Sequence, residues 1–504
     1  MRKNYIKIAL MLAALAGVFA CGHQDPETPD PEPEPQPEET EEMKERTAVN
    51  TFAYNVMDTY YLWNKEIESG LKSWKMNDEP IKKVKEVRYK DSSGKDIDKW
   101  TVLTDDIESM ISSTGGVSTT YGLDFKLYWY DQSQNTVCMV VTLVYPDSPA
   151  AKAGLKRGDV ITKIAGTIMT GTNYGDLLYD EFYYAKSSTL SDMNGKDYSM
   201  TAVEMYEDPV LVQKVFDLGG KKVGYLFFNS FTLTSCIKLA EAGRYFKSEG
   251  IESLILDMRY NGGGYVLTET LLASMLAPEA DVKAGSVFET SVYNSTIAKA
   301  WGDDETHFAQ SFTVTQGDEK ITIDISDANM GISHLYAIMT GSSASASESL
   351  LVGLMPYLDV KIFGQQSYGK YCSGIMYSAK DWYKDYDEAL KKDQRELGKK
   401  YANKWGIYVM IGRYADKYGK TPCMPDGFTP DFLVEDRPDE PYQLGEEHEA
   451  MLAAVLSYIQ GGVTVPQSAA RSAAASAMTF GPEIERDRGP AWGAHILLPQ
   501  DKSL

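Results

Sequence analysis

Three short stretches of this 504-residue chain place reactive groups where the backbone can present them. In Ser343-Ala344-Ser345-Ala346-Ser347-Glu348, small residues lie between an apolar strand and an apolar helix. A strand-to-helix turn can expose a serine hydroxyl as a nucleophile, although the flanks here are Ala and Ser rather than Gly. Gly369-Lys370 follows, with the lysine 25 residues after Ser345. A lysine in a dry site loses its charge near neutral pH and can then act as a general base. Leu256-Asp257-Met258-Arg259-Tyr260-Asn261-Gly262-Gly263-Gly264 leaves an apolar strand and enters a helix. Glycines at such a turn allow positive φ and close approach, and N–H groups at the helix start favour an anion. That anion could be a phosphate or a reaction oxyanion, but the spacing matches neither G-x-G-x-x-G nor a Walker loop.

Each stretch also has a plain structural role. Ser345 and Glu348 have the S-x-x-E spacing of a capping box. A lysine beside a glycine turn is commonly solvated, and three glycines make a tight turn. Histidine is the commoner base, yet His23, His307, His334, His448 and His495 lie in no recognisable catalytic frame. A Ser–Lys pair uses the same acyl-transfer logic without histidine. No paired metal-ligand motif occurs, so neither metal nor cofactor is expected.

The elements that must position these residues follow from the patterning. Residues 209–462 alternate strands and helices: Val223–Phe228, Ser253–Asp257, His334–Met339 and Val360–Phe363 read as strands. Ser235–Lys247, Leu267–Leu276, a segment from about Ser345, and Gln443–Ile459 read as helices. Such alternation predicts a sheet flanked by helices. Residues 114–208 are β-rich and resemble a PDZ domain. Gly122-Leu123-Asp124-Phe125 stands at the carboxylate-binding loop, and Ser148 to Gly166 matches the bacterial "SPAxxAGLxxGDxIxxIxG" run. The resemblance implies that loop N–H groups hold a terminal carboxylate while the peptide adds as a strand. Asp124 replaces the glycine common there. Residues 44–113 open with Phe52, Val56, Tyr60 and Trp63 at helical spacing, which predicts a small helical N-terminal domain. Residues 463–504 lose periodicity and predict a weakly ordered tail.

The N-terminus bears on location. Residues 1–21 have basic Arg2 and Lys3, an apolar run Ile8 to Phe19 too short to span a bilayer, and then Cys21. Val18-Phe19-Ala20-Cys21 resembles a bacterial lipobox, which implies a lipoprotein signal, lipidation at Cys21 and a membrane-anchored, exported protein in the cell envelope, periplasmic or cell-surface. Residues 22–43 form an acidic, proline-rich tether that cannot bury a core. The formal net charge is −22 overall, which argues against nucleic-acid binding. Cys138, Cys236, Cys372 and Cys423 fit no zinc spacing; a Cys372–Cys423 bridge and buried free thiols both remain open.

Taken together, the stretches resemble the C-terminal processing peptidases, also called tail-specific proteases, whose catalytic region carries "DLRxNxGG", "SASASE" and "GK" in that order. Gly224-Tyr225-Leu226 with Ser230-Phe231, and Thr429-Pro430-Asp431, resemble further family elements. The resemblance covers about residues 117 to 460. It implies a multidomain α/β protein whose catalytic domain is of the Clp/crotonase-like type. Ser345 would be the nucleophile and Lys370 the base, with N–H groups of Ala346 and of Gly263 or Gly264 forming the oxyanion hole. Substrates would be proteins or peptides with free C-termini. Some relatives place an Asp eleven residues after the serine, where this chain has Pro356. Others place a Gln four residues after the lysine, where it has Gly374. The group that orients Lys370 is therefore left open between Ser373 and a distant carboxylate. A catalytically silent PDZ scaffold and a ligand-binding lipoprotein are the other functions compatible with the same pattern.

Overall fold

The computed structural model describes residues 40–302, 304–316, 319–385, 390–461, 480–485 and 495–497. The signal peptide, Cys21 and most of the acidic tether lie outside the described residues. The helix Glu41–Thr59 begins inside the segment read as tether, because Thr40 caps it by accepting the Met43 N–H. Among the described residues, no helix is long and apolar enough to cross a membrane.

Residues 210–433 contain a six-stranded sheet. Val210–Asp217 and Lys222–Phe228 pair antiparallel. Ser253–Asp257, His334–Met339, Asp359–Gly364 and Phe432–Leu433 then continue in parallel. Parallel strands are covered on both faces, which is why Ser253–Asp257 reads as a continuous apolar run rather than an alternating one. Leu254 and Leu256 face a layer made by the helices Ser235–Glu249, Val266–Leu276 and Ala346–Leu354. Ile255 faces the opposite layer, where the helix Ala450–Ile459 packs. That helix starts at Ala450 rather than Gln443, because the Glu449 carboxylate caps it through the Leu452 N–H.

A second sheet, of seven strands, contains Cys372–Ser378 and Gly406–Ala415 as neighbours. Region 44–113 is not a free-standing helical unit. Its helices share one apolar cluster with these strands, and its strand Val102–Thr104 pairs with Gly406–Ala415. It packs as a layer on this second sheet.

The PDZ-like unit is a separate seven-stranded sheet with its own core, containing Phe125, Leu127, Met139, Val141, Ile161 and Leu190. Leu123–Asp131 pairs with Thr136–Val144, which pairs with Val160–Ile164. Ser148 caps the helix Pro149–Ala153, and Gly154 ends it in the left-handed conformation. The tail read as weakly ordered contains two short strands among its described residues. Glu483–Ile484 joins the PDZ-like sheet, and His495–Leu497 joins the second sheet. Cys138, Cys236, Cys372 and Cys423 are buried free thiols, so no Cys372–Cys423 bridge forms.

Candidate active site

Three neighbouring parallel strands deliver the three chemical stretches. Ser253–Asp257, His334–Met339 and Asp359–Gly364 lie side by side, so the loops leaving their C-terminal ends emerge together. The first loop carries the glycine turn, the second ends at Ser345 and the third reaches Lys370. The 25-residue spacing between serine and lysine is thus one helix plus one strand.

Hydrogen bonds sort the three serines of the small-residue run. Ser343 Oγ donates to Met258 O at 2.8 Å, and Ser347 Oγ donates to Asn261 O at 2.9 Å. Ala344 N–H also donates to Asn261 O. These bonds stitch the run to the glycine turn. Ser345 Oγ is fully buried and has no hydrogen-bond partner. Ser345 also adopts φ +63° and ψ −115°, a region that costs a non-glycine residue about 1–3 kcal/mol. A buried, strained serine with an unused hydroxyl is poor structure and good nucleophile geometry.

Only the carboxylate half of the capping box is made. Glu348 Oε2 accepts the Ser345 N–H at 3.0 Å, while the Ser345 hydroxyl takes no part. The same Glu348 oxygen accepts the Lys370 N–H at 2.9 Å, and Oε1 accepts the Gly369 N–H at 2.8 Å and the Ser367 hydroxyl at 2.5 Å. Tyr414 spans the pair from its carbonyl side, donating to Lys370 O at 2.5 Å with a longer contact to Ser345 O at 3.4 Å. Burial pushes the Glu348 carboxyl up to about 7, against four hydrogen bonds that favour its ionised form.

Lys370 is fully buried, and desolvation pulls its ammonium down to about 7. Its Nζ donates to Tyr408 Oη at 3.0 Å and lies 5.7 Å from the centre of the Trp100 ring. Tyr408 thus supplies one contact that can orient the Lys370 ammonium. Ser373 does not serve, since its hydroxyl faces Gly412 O at 3.4 Å.

Of the two turn glycines expected to serve an oxyanion, one has its N–H engaged within the turn. Gly263 N–H donates to Asn261 Oδ1 at 2.9 Å and so is already engaged. Gly264 is held in pairings with Phe231 and His495, and a Cβ there would stand 2.3 Å from Phe231 O. Beside these, the N–H groups of Gly262 in the turn and of Ala346 after the serine have no internal partner among the described residues. Below the turn, fully buried Arg259 pairs with Asp257 and Glu449, and its Nη1 lies 3.4 Å from Asp436. Asp436 also takes Arg157 at 3.1 Å and Lys126 at 3.4 Å, both from the PDZ-like unit. Arg157 in turn donates to the Tyr260 hydroxyl within the turn. Sequence reading missed these ionic partners.

The predicted carboxylate loop is partly spent on itself. Gly122 N–H donates to Thr120 Oγ1 at 3.0 Å, and Phe125 N–H donates to the Asp124 side chain at 2.7 Å. Among the described residues, no cluster of His, Cys, Asp and Glu could hold a metal ion.

This geometry can be set beside known proteins. Residues 222–434 match peptidase family S41. Residues 140–180 match a PDZ domain. The chain is similar to the "Probable CtpA-like serine protease" of Staphylococcus aureus (strain N315), at 26% identity over 233 residues. That alignment covers 46% of this chain and 42% of the relative. The protein of the same name from Staphylococcus haemolyticus (strain JCSC1435) is 24% identical over 48% of this chain and 43% of its own length. The chain thus spans less than half the length of these curated relatives. A crystal structure from Bacteroides fragilis NCTC 9343, assigned to the S41 proteases, superposes with a TM-score of 0.62 at 20% identity. It covers 81% of this chain and 96% of that one, which shows a shared fold. The S41 region contains Ser345, Lys370 and the glycine turn, and the PDZ match overlaps the separate seven-stranded sheet.

Proposed function

We propose that this chain is a serine endopeptidase in which Ser345 is the nucleophile and Lys370 the general base. Neutral Lys370 Nζ takes the Ser345 proton as Oγ attacks a peptide carbonyl carbon. The Ala346 and Gly262 N–H groups receive the developing oxyanion. As the C–N bond breaks, the Lys370 ammonium returns the proton to the leaving amine. Water, deprotonated by Lys370, then attacks the acyl ester and frees Ser345.

The observation that carries this reading is the unpartnered, buried Ser345 hydroxyl on a strained backbone, clamped by Glu348 to the segment bearing a desolvated lysine. Substrates are extended protein segments that the PDZ-like unit holds by strand addition, tail-exposed ones included. Two of the loop N–H groups are internally engaged, so strand pairing contributes more to capture than a free terminal carboxylate does. Mass spectrometry of a disordered protein incubated with wild type, Ser345→Ala and Lys370→Met tests the assignment. Cleavage by wild type alone is expected, and equal cleavage by all three would refute it.

We also infer attachment to an envelope membrane through a lipid on Cys21, supported by the lipobox-like sequence and the acidic tether. Fatty-acid labelling lost in Cys21→Ser is the expected result, and labelling retained there would reject the anchor.

A further inference from the structure

We propose that residues Phe480–Glu485 are an internal ligand of the PDZ-like unit, lodged where a substrate peptide would add, and that Lys126 and Tyr128 select what can replace them. Leu123–Asp131 leaves the Gly122 loop and pairs along one edge with Thr136–Val144. Its other edge is the one open to strand addition, and the chain's own Glu483–Ile484 occupies it. The pairing is antiparallel, with Glu483 opposite Tyr128 and Ile484 opposite Leu127. Continuing from Glu483 to Ile484 therefore leads toward the Gly122 loop.

Independent contacts fix this register. Trp129 N–H donates to Pro482 O at 3.3 Å, and Gly481 N–H donates to Trp129 O at 2.8 Å. Phe480 stacks on Tyr128 with ring centres 5.4 Å apart and planes at 25°. Glu483 Oε2 lies 3.3 Å from Lys126 Nζ, and Ile484 packs against the core of the PDZ-like unit. The segment thus presents an aromatic residue, an acid three positions later, and an aliphatic residue after the acid. A peptide with that pattern fits the same contacts. A base in place of the acid would face the buried Lys126 ammonium.

The segment also borders the clefts beside the site. Glu483, Ile484 and Glu485 line a cleft of about 1070 Å³ that includes Trp100 and Tyr408, the neighbours of Lys370. Glu485 also lines a second cleft of about 1010 Å³ that reaches Gly262. Further along, His495–Leu497 lies between Gly264–Tyr265 and Gly374–Ile375, flanking the glycine turn and the strand after Lys370. Ser345 and Lys370 are completely covered in this arrangement. A tethered ligand acts at an effective concentration on the order of mM, so a peptide in solution competes poorly until the segment lifts. The docking stands on its own contacts, whereas its consequence for cleavage rests on the peptidase reading.

The test uses the full chain carrying Ser345→Ala, so that the probe survives, with and without Glu483→Lys or Phe480→Ala/Ile484→Asp. The probe is a fluorescein-labelled peptide of residues 479–485, Thr-Phe-Gly-Pro-Glu-Ile-Glu, read by polarisation. Both released forms are expected to bind it about tenfold more tightly than the unreleased chain. The probe with Lys in place of its first Glu should bind about tenfold more weakly. Glu483→Lys changes a half-exposed side chain, so it reports even if the double variant fails to fold. Equal binding by released and unreleased chains, or no preference for the acidic probe, would overturn the proposal. Because binding needs no catalysis, failure of the peptidase reading would leave this result intact.

Discussion

Ser345 and Lys370 hang from one oxygen atom: Glu348 Oε2 accepts the backbone N–H of the first at 3.0 Å and of the second at 2.9 Å. The relative placement of the two side chains is thereby fixed through their backbones. A carboxylate with several charge-assisted bonds is a stiff clamp, and it lies in the chain itself rather than in a bound group.

Glu348→Gln tests the clamp. A glutamine offers one acceptor oxygen and sets an NH2 against N–H groups that need acceptors. The variant should lose about 2–3 kcal/mol of stability, as expected for buried donors left unpaired. Its kcat should fall about 100-fold or more with KM little changed, because displacement of the reacting atoms is felt in the chemical step. Steady-state kinetics with thermal denaturation measures both.

The pH–rate profile tests the base. Lys370 must be neutral to accept a proton, and burial pulls it down to about 7. Log kcat/KM should therefore rise with pH by at least one unit per pH unit below that value and level off above it. Glu348, also near 7, ionises in the same window and steepens the rise. Tyr408→Phe removes the hydroxyl to which Nζ donates and should lower kcat by about 10- to 100-fold while leaving KM in place. A profile that is flat from pH 5 to 9 would exclude Lys370.

The cost of the buried lysine should be visible in stability. Its folded value lies below the unfolded one, so the unfolded state binds more protons between about 7 and about 10.4. Stability then rises with pH across that window, and the penalty is largest below it. Lys370→Met keeps the volume and removes the titration. It should stabilise the protein near pH 7, by up to about 4–5 kcal/mol if nothing offsets the change, with the gain fading toward pH 10. Chemical denaturation at several pH values measures it.

Much of the site was readable because its chemistry is local. The strand ends of Ser253–Asp257 and His334–Met339 were marked by apolar runs stopping at small residues, so the turns carrying Gly262 and Ser345 fell in place. The spacing to Lys370 records a helix and a strand of ordinary length. What escaped was held by distant partners. Tyr408 lies 38 residues beyond Lys370, and Asp436 and Glu449 lie 177 and 190 residues beyond Arg259. Nothing in their local sequence marks them. Glu348 was visible as a helix cap, which is half of its role. The strands Glu483–Ile484 and His495–Leu497 are too short for periodicity to show, since their order comes from the edges they join.

Arg157 links the PDZ-like unit to the glycine turn through Tyr260 and Asp436. Arg157→Met leaves buried Asp436 one cation short and should cost about 3 kcal/mol. With Asp436→Asn the two losses should fall short of additive by about 1–3 kcal/mol. A double-mutant cycle of unfolding free energies measures this, and strict additivity would show that the two do not interact.

The most direct test of the central claim is covalent labelling of Ser345. A fluorophosphonate, applied to the full chain and located by peptide mass spectrometry, should give one adduct, on the peptide containing Ser345. The adduct should vanish in Ser345→Ala and form about 100-fold more slowly in Lys370→Met. Labelling that persists in Ser345→Ala, or that proceeds at the wild-type rate without Lys370, would contradict the account.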